Sequence, residues 1–422
     1  MKALRFLTLV IFVWVLPFKQ SLIAQNEDRA AFQTYESQKT RKPFQFSFFP
    51  PIGTNGMASS QTINQFSFNL ICGVSGGVDG FELGGVLNLT NGNTDGFQLA
   101  GMGNMVKGIT KGVQVAGFYN LSRQSRNAVQ LAGFTNINGS SKNGIQIAGF
   151  ANINSLKNKK GEMEDFLSFF AEQTTGNQLA GFANISAGDT RGLQIAGFSN
   201  INSGKMRGVQ LSGFVNVNSG DLDGLQIAGF FNHAQTVNGL QLGFINVADR
   251  IESGLAIGFL NFIKEGYRRL EVEHNEYFTA NVSFKTGTKN FYNILSLGAR
   301  AEKKETFWGF GYGIGTLFPV SNKVDLSIDA IAYNINEEKW WKTQEINMLN
   351  KLKVSFSYQI TEGIEIYGGP SINVIVSNRE NEEGSLVKGD FILLGSHSWR
   401  GVNTLTTLYP GFQAGLRLFG RS

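Results

Sequence analysis

One phrase dominates this chain. GVQVAGFYNLSRQSRN at 112–127 is followed by AVQLAGFTNINGSSKN and then by GIQIAGFANIN. Aligned on their first residue, copies begin at Gly80, Gly96, Gly112, Ala128 and Gly144, then at Gly176, Gly192, Gly208 and Gly224. Each step is sixteen residues, apart from one gap of thirty-two. Two shorter copies start at Gly239 and Gly254. An Asn recurs in all of them: Asn88, Asn104, Asn120, Asn136, Asn152, Asn184, Asn200, Asn216, Asn232, Asn246 and Asn261. A Gln stands near the start of most copies (Gln98, Gln114, Gln130, Gln146, Gln178, Gln194, Gln210, Gln226, Gln241), and a Phe follows the A-G pair in most (Phe118, Phe134, Phe150, Phe182, Phe198, Phe214, Phe230). A fixed short period of this kind marks a stacked architecture, in which each unit buries its neighbour.

Within a copy, V-Q-L alternates apolar and polar, the period of a strand. Connectors such as NGSSKN, SAGDTR and NSGKMR carry turn residues. Each copy is thus about ten residues of extended chain and a six-residue bend. Two folds can be built from that unit. In a β-solenoid each copy is one coil, stacked at about 4.8 Å. In one large continuous β-barrel each copy is a strand, long enough at ~10 residues to cross a bilayer.

Several features favour the solenoid. The connectors lack the two-copy alternation of short and long that a meander produces. Identical Asn and Phe positions form rows only if copies run parallel and in register. The late copies GLQLGFINV and GLAIGFLNF lack one residue before the glycine. Inside a spanning strand that loss would turn half the residues to the wrong face; at a coil corner made by A-G it is harmless. The Asn column then satisfies polar groups where the chain bends. Rows of amides also suit the hydroxyls of a glycan, which stays open as a second use.

After Gly266 the beat stops and longer alternating strands begin. FWGFGYGIGTLF (307–318) sets Trp308, Phe310, Tyr312, Ile314 and Phe318 opposite Gly309, Gly311, Gly313 and Gly315. VDLSIDAIA (324–332) sets Val324, Leu326 and Ile328 opposite Asp325, Ser327 and Asp329, and LKVSFSYQI (352–360) does likewise. Eight such strands are expected, at about 267–274, 276–287, 290–301, 306–319, 323–335, 350–361, 363–377 and 410–420. Alternation of this kind, with tight turns at one end and long loops at the other, suits a small up-and-down membrane-type β-barrel. The expected fold class is therefore all-β: a repeat β-solenoid followed by that barrel, with the single large barrel as alternative.

The beginning of the chain reads as an export signal over 1–24. Lys2 and Arg5 precede FLTLVIFVWVL, and SLIAQ offers a small-residue exit near Ala24. A polar lead-in covers 25–43, the repeat region 44–266, and the barrel-like region 267–422. In the gap, about 155–175, Met163, Phe166, Leu167 and Phe170 fall at helical spacing, so an amphipathic helical insertion is expected there. Only 16% of residues are charged, and 52 Gly and 36 Phe leave no room for a disordered chain. The net charge of +5 is spread along the sequence, without the basic clusters of a nucleic-acid groove. Cys72 is the one cysteine, so neither an intrachain disulfide nor a Cys-based zinc site is possible.

The copies G-[VLI]-Q-[VLI]-A-G-F-x-N-[IV], with the variants GLQLGFINVA and GLAIGFLNFIKEGY, look like the surface-repeat proteins of Gram-negative bacteria. The resemblance covers roughly 64–270, and FSFFPPIGTNG before it fits as well. It implies an outer-membrane or cell-surface location and brings no catalytic residues.

No catalytic, cofactor or metal residues are assigned. His233, His274 and His397 sit in no metal-ligand spacing. GSHSW at 395–399 places Ser396, His397 and Ser398 together in the longest expected loop, but adjacent residues are poorly placed for a proton relay. Lys339–Trp341 suits an interfacial anchor. The expectation is a non-enzymatic outer-membrane or cell-surface protein, with a structural or surface-interaction role. Its partners are outer-membrane lipid and a surface ligand, glycan or protein; no cofactor or nucleic acid is expected. The alternatives are a pore or transport protein built as one wide barrel and, second, a barrel lipid hydrolase.

Overall fold

The structure is a computed structural model and describes residues 39–154, 174–301, 306–337, 346–378, 395–399 and 404–418. The expected export signal, most of the lead-in, nearly all of the insertion and Lys339–Trp341 lie outside the described residues. Two compact units form: Met1–Gly176 with Ile185–Gly188, and Asn177–Asn184 with Asp189–Ser422. Both are built from strands, and over the two together the repeat coils of the β-solenoid number about eleven.

In the first unit, the opening strand Thr40–Phe49 pairs in parallel with Thr62–Asn69, which pairs in parallel with Gly77–Gly84. The repeat copies continue the pattern, with Gln98 opposite Gln114 and Asn104 opposite Asn120. The second unit repeats it: Gln194 faces Gln210, and Asn200 faces Asn216. This parallel register excludes the single large barrel. Neighbouring strands of an up-and-down barrel run antiparallel, and these do not.

Each coil carries two strands that meet at a corner, as in Thr190–Ala196 and Ser199–Asn202. The corner falls on Gly197 and Phe198. The fifteen-residue copies lose their residue at this corner: Gln226 still faces Gln241, and Asn232 still faces Asn246, on its two sides. Glycine is required twice per coil. At Gly208 φ is +130°, and a Cβ there would overlap the Gly192 carbonyl; at Gly213 a Cβ would overlap the Gly197 carbonyl. Ala128 breaks the first column because the left-handed residue there is the preceding Asn127, with φ of 48°.

The coil interior is mixed: Met206, Leu222, Val237 and Ile263 form an apolar strip at one side of it, and amides fill the strands on either side of the A-G corner. Gln194, Ala196, Asn200 and Asn202 point inward and are buried, while Leu193 and Ile195 are half-buried and Phe198 and Ile201 are exposed. Strand alternation demands one choice or the other, and the amides take the interior.

In the second unit the coils give way to antiparallel strands: Tyr267–Asn275, Ala280–Gly287, Tyr292–Ala301, Thr306–Ser321, Val324–Glu337, Asn347–Thr361, Ile364–Ser377 and Thr404–Leu418. Each pairs with the next, and the first pairs with the last through Val272–Leu416 and its neighbours, so the pairings close on themselves. The final strand starts earlier than the expected 410 because 404–409 continue the ladder along Ile364–Ser377. Gly395–Trp399, expected in a loop, is a short strand paired with 404–408.

Candidate functional surface

Amide chemistry explains the invariant columns. Asn carries two donor protons and an acceptor on a short stem. Asn200 Nδ2 donates to Asn216 Oδ1 at 2.9 Å and to the Leu211 carbonyl at 2.9 Å, while its own Oδ1 accepts from Asn184. Asn104, Asn120 and Asn216 repeat the arrangement. The second proton goes to the carbonyl of the residue two before the corner glycine. Asp lacks the donors for this position.

The Gln column runs the other way. Each Gln donates to the preceding copy: Gln114 to Gln98 at 2.8 Å, Gln210 to Gln194 at 2.8 Å, Gln241 to Gln226 at 2.8 Å. It ends in the first unit at Glu82, where a carboxylate replaces the amide. Gln98 donates to Glu82 Oε2 at 2.7 Å and Asn69 to Oε1 at 3.1 Å. Glu82 is fully buried, and burial pushes its carboxyl above the ordinary range, against the hydrogen bonds from Gln98, Asn69, Ser67 and Ser75. At the other end Ala256 stands in the Gln place, and Gln241 Oε1 is left without a partner. Being buried, these rows are closed to a glycan on the surface.

What the coils present outward is apolar. Phe182, Phe198, Phe214, Phe230, Phe244 and Phe259 form one row in the second unit; Phe198 and Phe214 stack at 5.1 Å, Phe214 and Phe230 at 5.0 Å. Phe118, Phe134 and Phe150 do the same in the first, at 4.7 and 4.8 Å. Exposed formal charges lie away from that row, at the bends and the strand starts that follow them, where Lys205 meets Asp221 at 2.8 Å and Arg207 meets Asp223 at 3.3 Å.

The antiparallel ring has the same polarity. Inside, three carboxylates (Glu271, Glu273, Asp329) balance three cations (Lys285, Lys353, Arg417), all buried. Lys285 contacts Glu271 and Asp329 at 2.7 Å each; Lys353 meets Glu273 at 2.8 Å; Arg417 Nε donates to Glu271 at 2.6 Å. Tyr292 and Tyr367 hydroxyls add to Asp329 and Glu273 at 2.6 and 2.7 Å. Buried charges persist only when paired and hydrogen-bonded in this way. Outside stand Phe310, Ile314, Phe318, Leu352, Phe356 and Tyr358, all exposed, as the alternation predicts.

No family model, curated protein or solved structure matches the chain.

The residues singled out by chemistry stay apart. His233 Nδ1 lies 3.1 Å from the Asn218 carbonyl, and His274 Nδ1 lies 2.9 Å from the Thr279 carbonyl. His397 is exposed on its short strand. Cys72 is half-buried; burial, then the nearby Glu82, raises its thiol.

Two residues without any sequence signal join coil to ring. Asn293 takes the next rung of the Asn column, accepting from Asn261 Nδ2 at 2.6 Å and donating to the Gly258 carbonyl at 2.9 Å and Tyr312 Oη at 2.8 Å. Tyr312 extends the Phe row, its ring 4.5 Å from that of Phe259. Thr286 Oγ1 adds a bond to the Asn261 carbonyl at 2.8 Å.

Proposed function

We propose that this is a non-enzymatic outer-membrane or cell-surface protein, in which the antiparallel ring is a small membrane barrel and the coils are its structural, interaction-bearing part. One observation carries the reading: an apolar exterior surrounds an ion-paired interior in a ring whose first and last strands pair. Only a closed ring leaves no backbone edge in hydrocarbon. No helix among the described residues is long and apolar enough to cross a membrane, so the crossing proposed is made by strands. The resemblance to surface-repeat proteins agrees with that location, and an export signal over 1–24 would deliver the chain there.

The interior supports an anchor over a pore. Eight-stranded barrels have room only for side chains, and here Arg417, Tyr292, Tyr333, Lys285 and Lys353 fill it. The barrel therefore anchors and does not conduct. The hydrolase reading gains no support, since Ser396, His397 and Ser398 are consecutive residues of one short strand, poorly placed for a proton relay.

Membrane fractionation and planar-bilayer recording test this reading. The full chain should stay with the membrane through an alkaline wash, need detergent for release, and give a silent bilayer. Regular unitary current steps would overturn the anchor in favour of the pore. Release by the alkaline wash alone would overturn the membrane assignment.

A further inference from the structure

The coils of the second unit meet the ring on its outer wall, and that fixes what surrounds them. On Thr306–Ser321 the outward row runs through Trp308, Phe310, Tyr312, Ile314, Thr316, Phe318 and Val320. Tyr312 lies in the middle of this row. Phe259 covers it, yet Phe310 and Ile314 on either side remain 42% and 44% exposed. On the neighbouring strand Asn293 also points outward, since Tyr292 and Ile294 fill the interior positions. Uncovered, an amide in that wall would face hydrocarbon with its hydrogen bonds unmade. Instead the last coil covers it and completes its hydrogen bonds.

We propose that the coils of the second unit lie along the bilayer at the level of the barrel's apolar belt, with their Phe-bearing flank covered by lipid acyl chains. The inference rests on the barrel reading above. The contacts fall on outward-facing positions, Thr286 and Asn293 near the turn between their strands and Tyr312 midway along Thr306–Ser321, so each further coil stands about 4.8 Å farther out from that wall. The copy at Gly192 is four steps from the copy at Gly254, and so about 20 Å along the membrane.

Three properties of the coils suit that solvent. Their backbone groups are paired coil to coil in parallel ladders, the condition hydrocarbon imposes on any chain. Their interior amides bond to one another along the columns, Gln241 Oε1 at the end of the Gln row being the exception, so the amides turn inward and not to the flank. Their outward flank carries no formal charge over 192–204, 208–220 and 224–248. Lys205 and Asp221 sit in the bends, and Arg191, Arg207 and Asp223 at the second position of the strands that follow. Asp249, Arg250, Glu252, Lys264 and Glu265 lie around the bends of the last coils, and headgroups and water can hold all of these charges there. The Phe row also runs without a break onto the barrel's outer face at Tyr312. A protein partner would have to displace lipid from one end of a surface that is continuous with the lipid-facing wall.

Spin labels on single cysteines test this in a Cys72→Ser background, using the full chain in phosphatidylcholine–phosphatidylglycerol vesicles. Labels go at Leu211→Cys and Phe214→Cys on the flank, Phe310→Cys on the ring and Lys205→Cys in a bend. Collision with dissolved oxygen reports lipid, and collision with a water-soluble nickel chelate reports water. The flank and ring labels should collide with oxygen and lose nickel broadening, while the bend label should show the reverse. A ring label in lipid with flank labels open to nickel would overturn the inference and leave the barrel intact. Nickel access at the ring as well would overturn the barrel reading itself. Flank labels shielded from both reagents would also overturn the inference, because another polypeptide would then cover the flank.

Discussion

Asn216 is the sharpest place to test the amide column. Its Nδ2 donates to the Ile227 carbonyl at 2.8 Å and to Asn232 Oδ1 at 3.0 Å, and its Oδ1 accepts from Asn200 at 2.9 Å. Asn216→Leu removes these three bonds, and a longer one to the Gln210 carbonyl at 3.4 Å, and leaves at least three buried groups short of a partner. An orphaned buried group costs about 1–3 kcal/mol, so the coil should lose at least about 3 kcal/mol. Asn216→Asp keeps the acceptor for Asn200 but turns its second oxygen toward two other oxygens, and should lose a comparable amount. Repeat stacks open locally and do not melt as one two-state unit. Native-state hydrogen exchange across 192–232 is therefore the suitable measurement. Both variants should exchange more than about a hundredfold faster there, a factor of ten corresponding to about 1.4 kcal/mol. A change below tenfold in both would refute the claim that the column holds the corners.

Other expectations concern separate parts of the chain. Burial raises the Glu82 carboxyl above its unfolded value. Its contribution to the first unit is thus fully present below the unfolded pKa and falls as pH rises through the folded one; Glu82→Gln should flatten that slope in melting curves taken across acid and neutral pH. Gly208→Ala should destabilise its coil by at least about 2 kcal/mol, since φ is +130° and the Gly192 carbonyl blocks the Cβ. Limited proteolysis would report it, and an intact coil would refute it. Lys353→Met leaves Glu271 and Glu273 without their shared cation, an expected loss of about 3–5 kcal/mol. It should lower the temperature at which the ring unfolds in detergent gels, and an unchanged temperature would count against the ion lattice.

Much of this architecture was legible as spacing. The sixteen-residue beat, the Asn column and the missing residue at 243 pointed to parallel coils with a corner at A-G, because a corner absorbs a deletion and a strand cannot. The alternation of 352–360 likewise gave the two faces of the ring correctly. Which face of the coil turns inward was harder, since V-Q-L alternation is symmetric and apolar residues usually take the interior. The signal was present: an outward amide has no reason to be the same in every copy, whereas a buried one must match its neighbours. Asn293 was out of reach. It lies 32 residues beyond Asn261, in an unrelated strand, and only the three-dimensional pairing shows that it continues the row. The ion lattice is spread over 271–417 in the same way, Glu271 and Glu273 on one strand and the other members one to a strand, with no motif.

The opposed directions of the two amide columns carry a consequence for how such a chain can grow. A single row of aligned amides would add one dipole per coil, as peptide units do along a helix, and a long stack would build up charge at its ends. With Asn donating forward and Gln donating backward, each added coil contributes two moments that largely cancel. Whole sixteen-residue copies can then be gained or lost without electrostatic penalty, so the number of coils is free to drift while the terminal groups, Glu82 and Asn293, stay fixed.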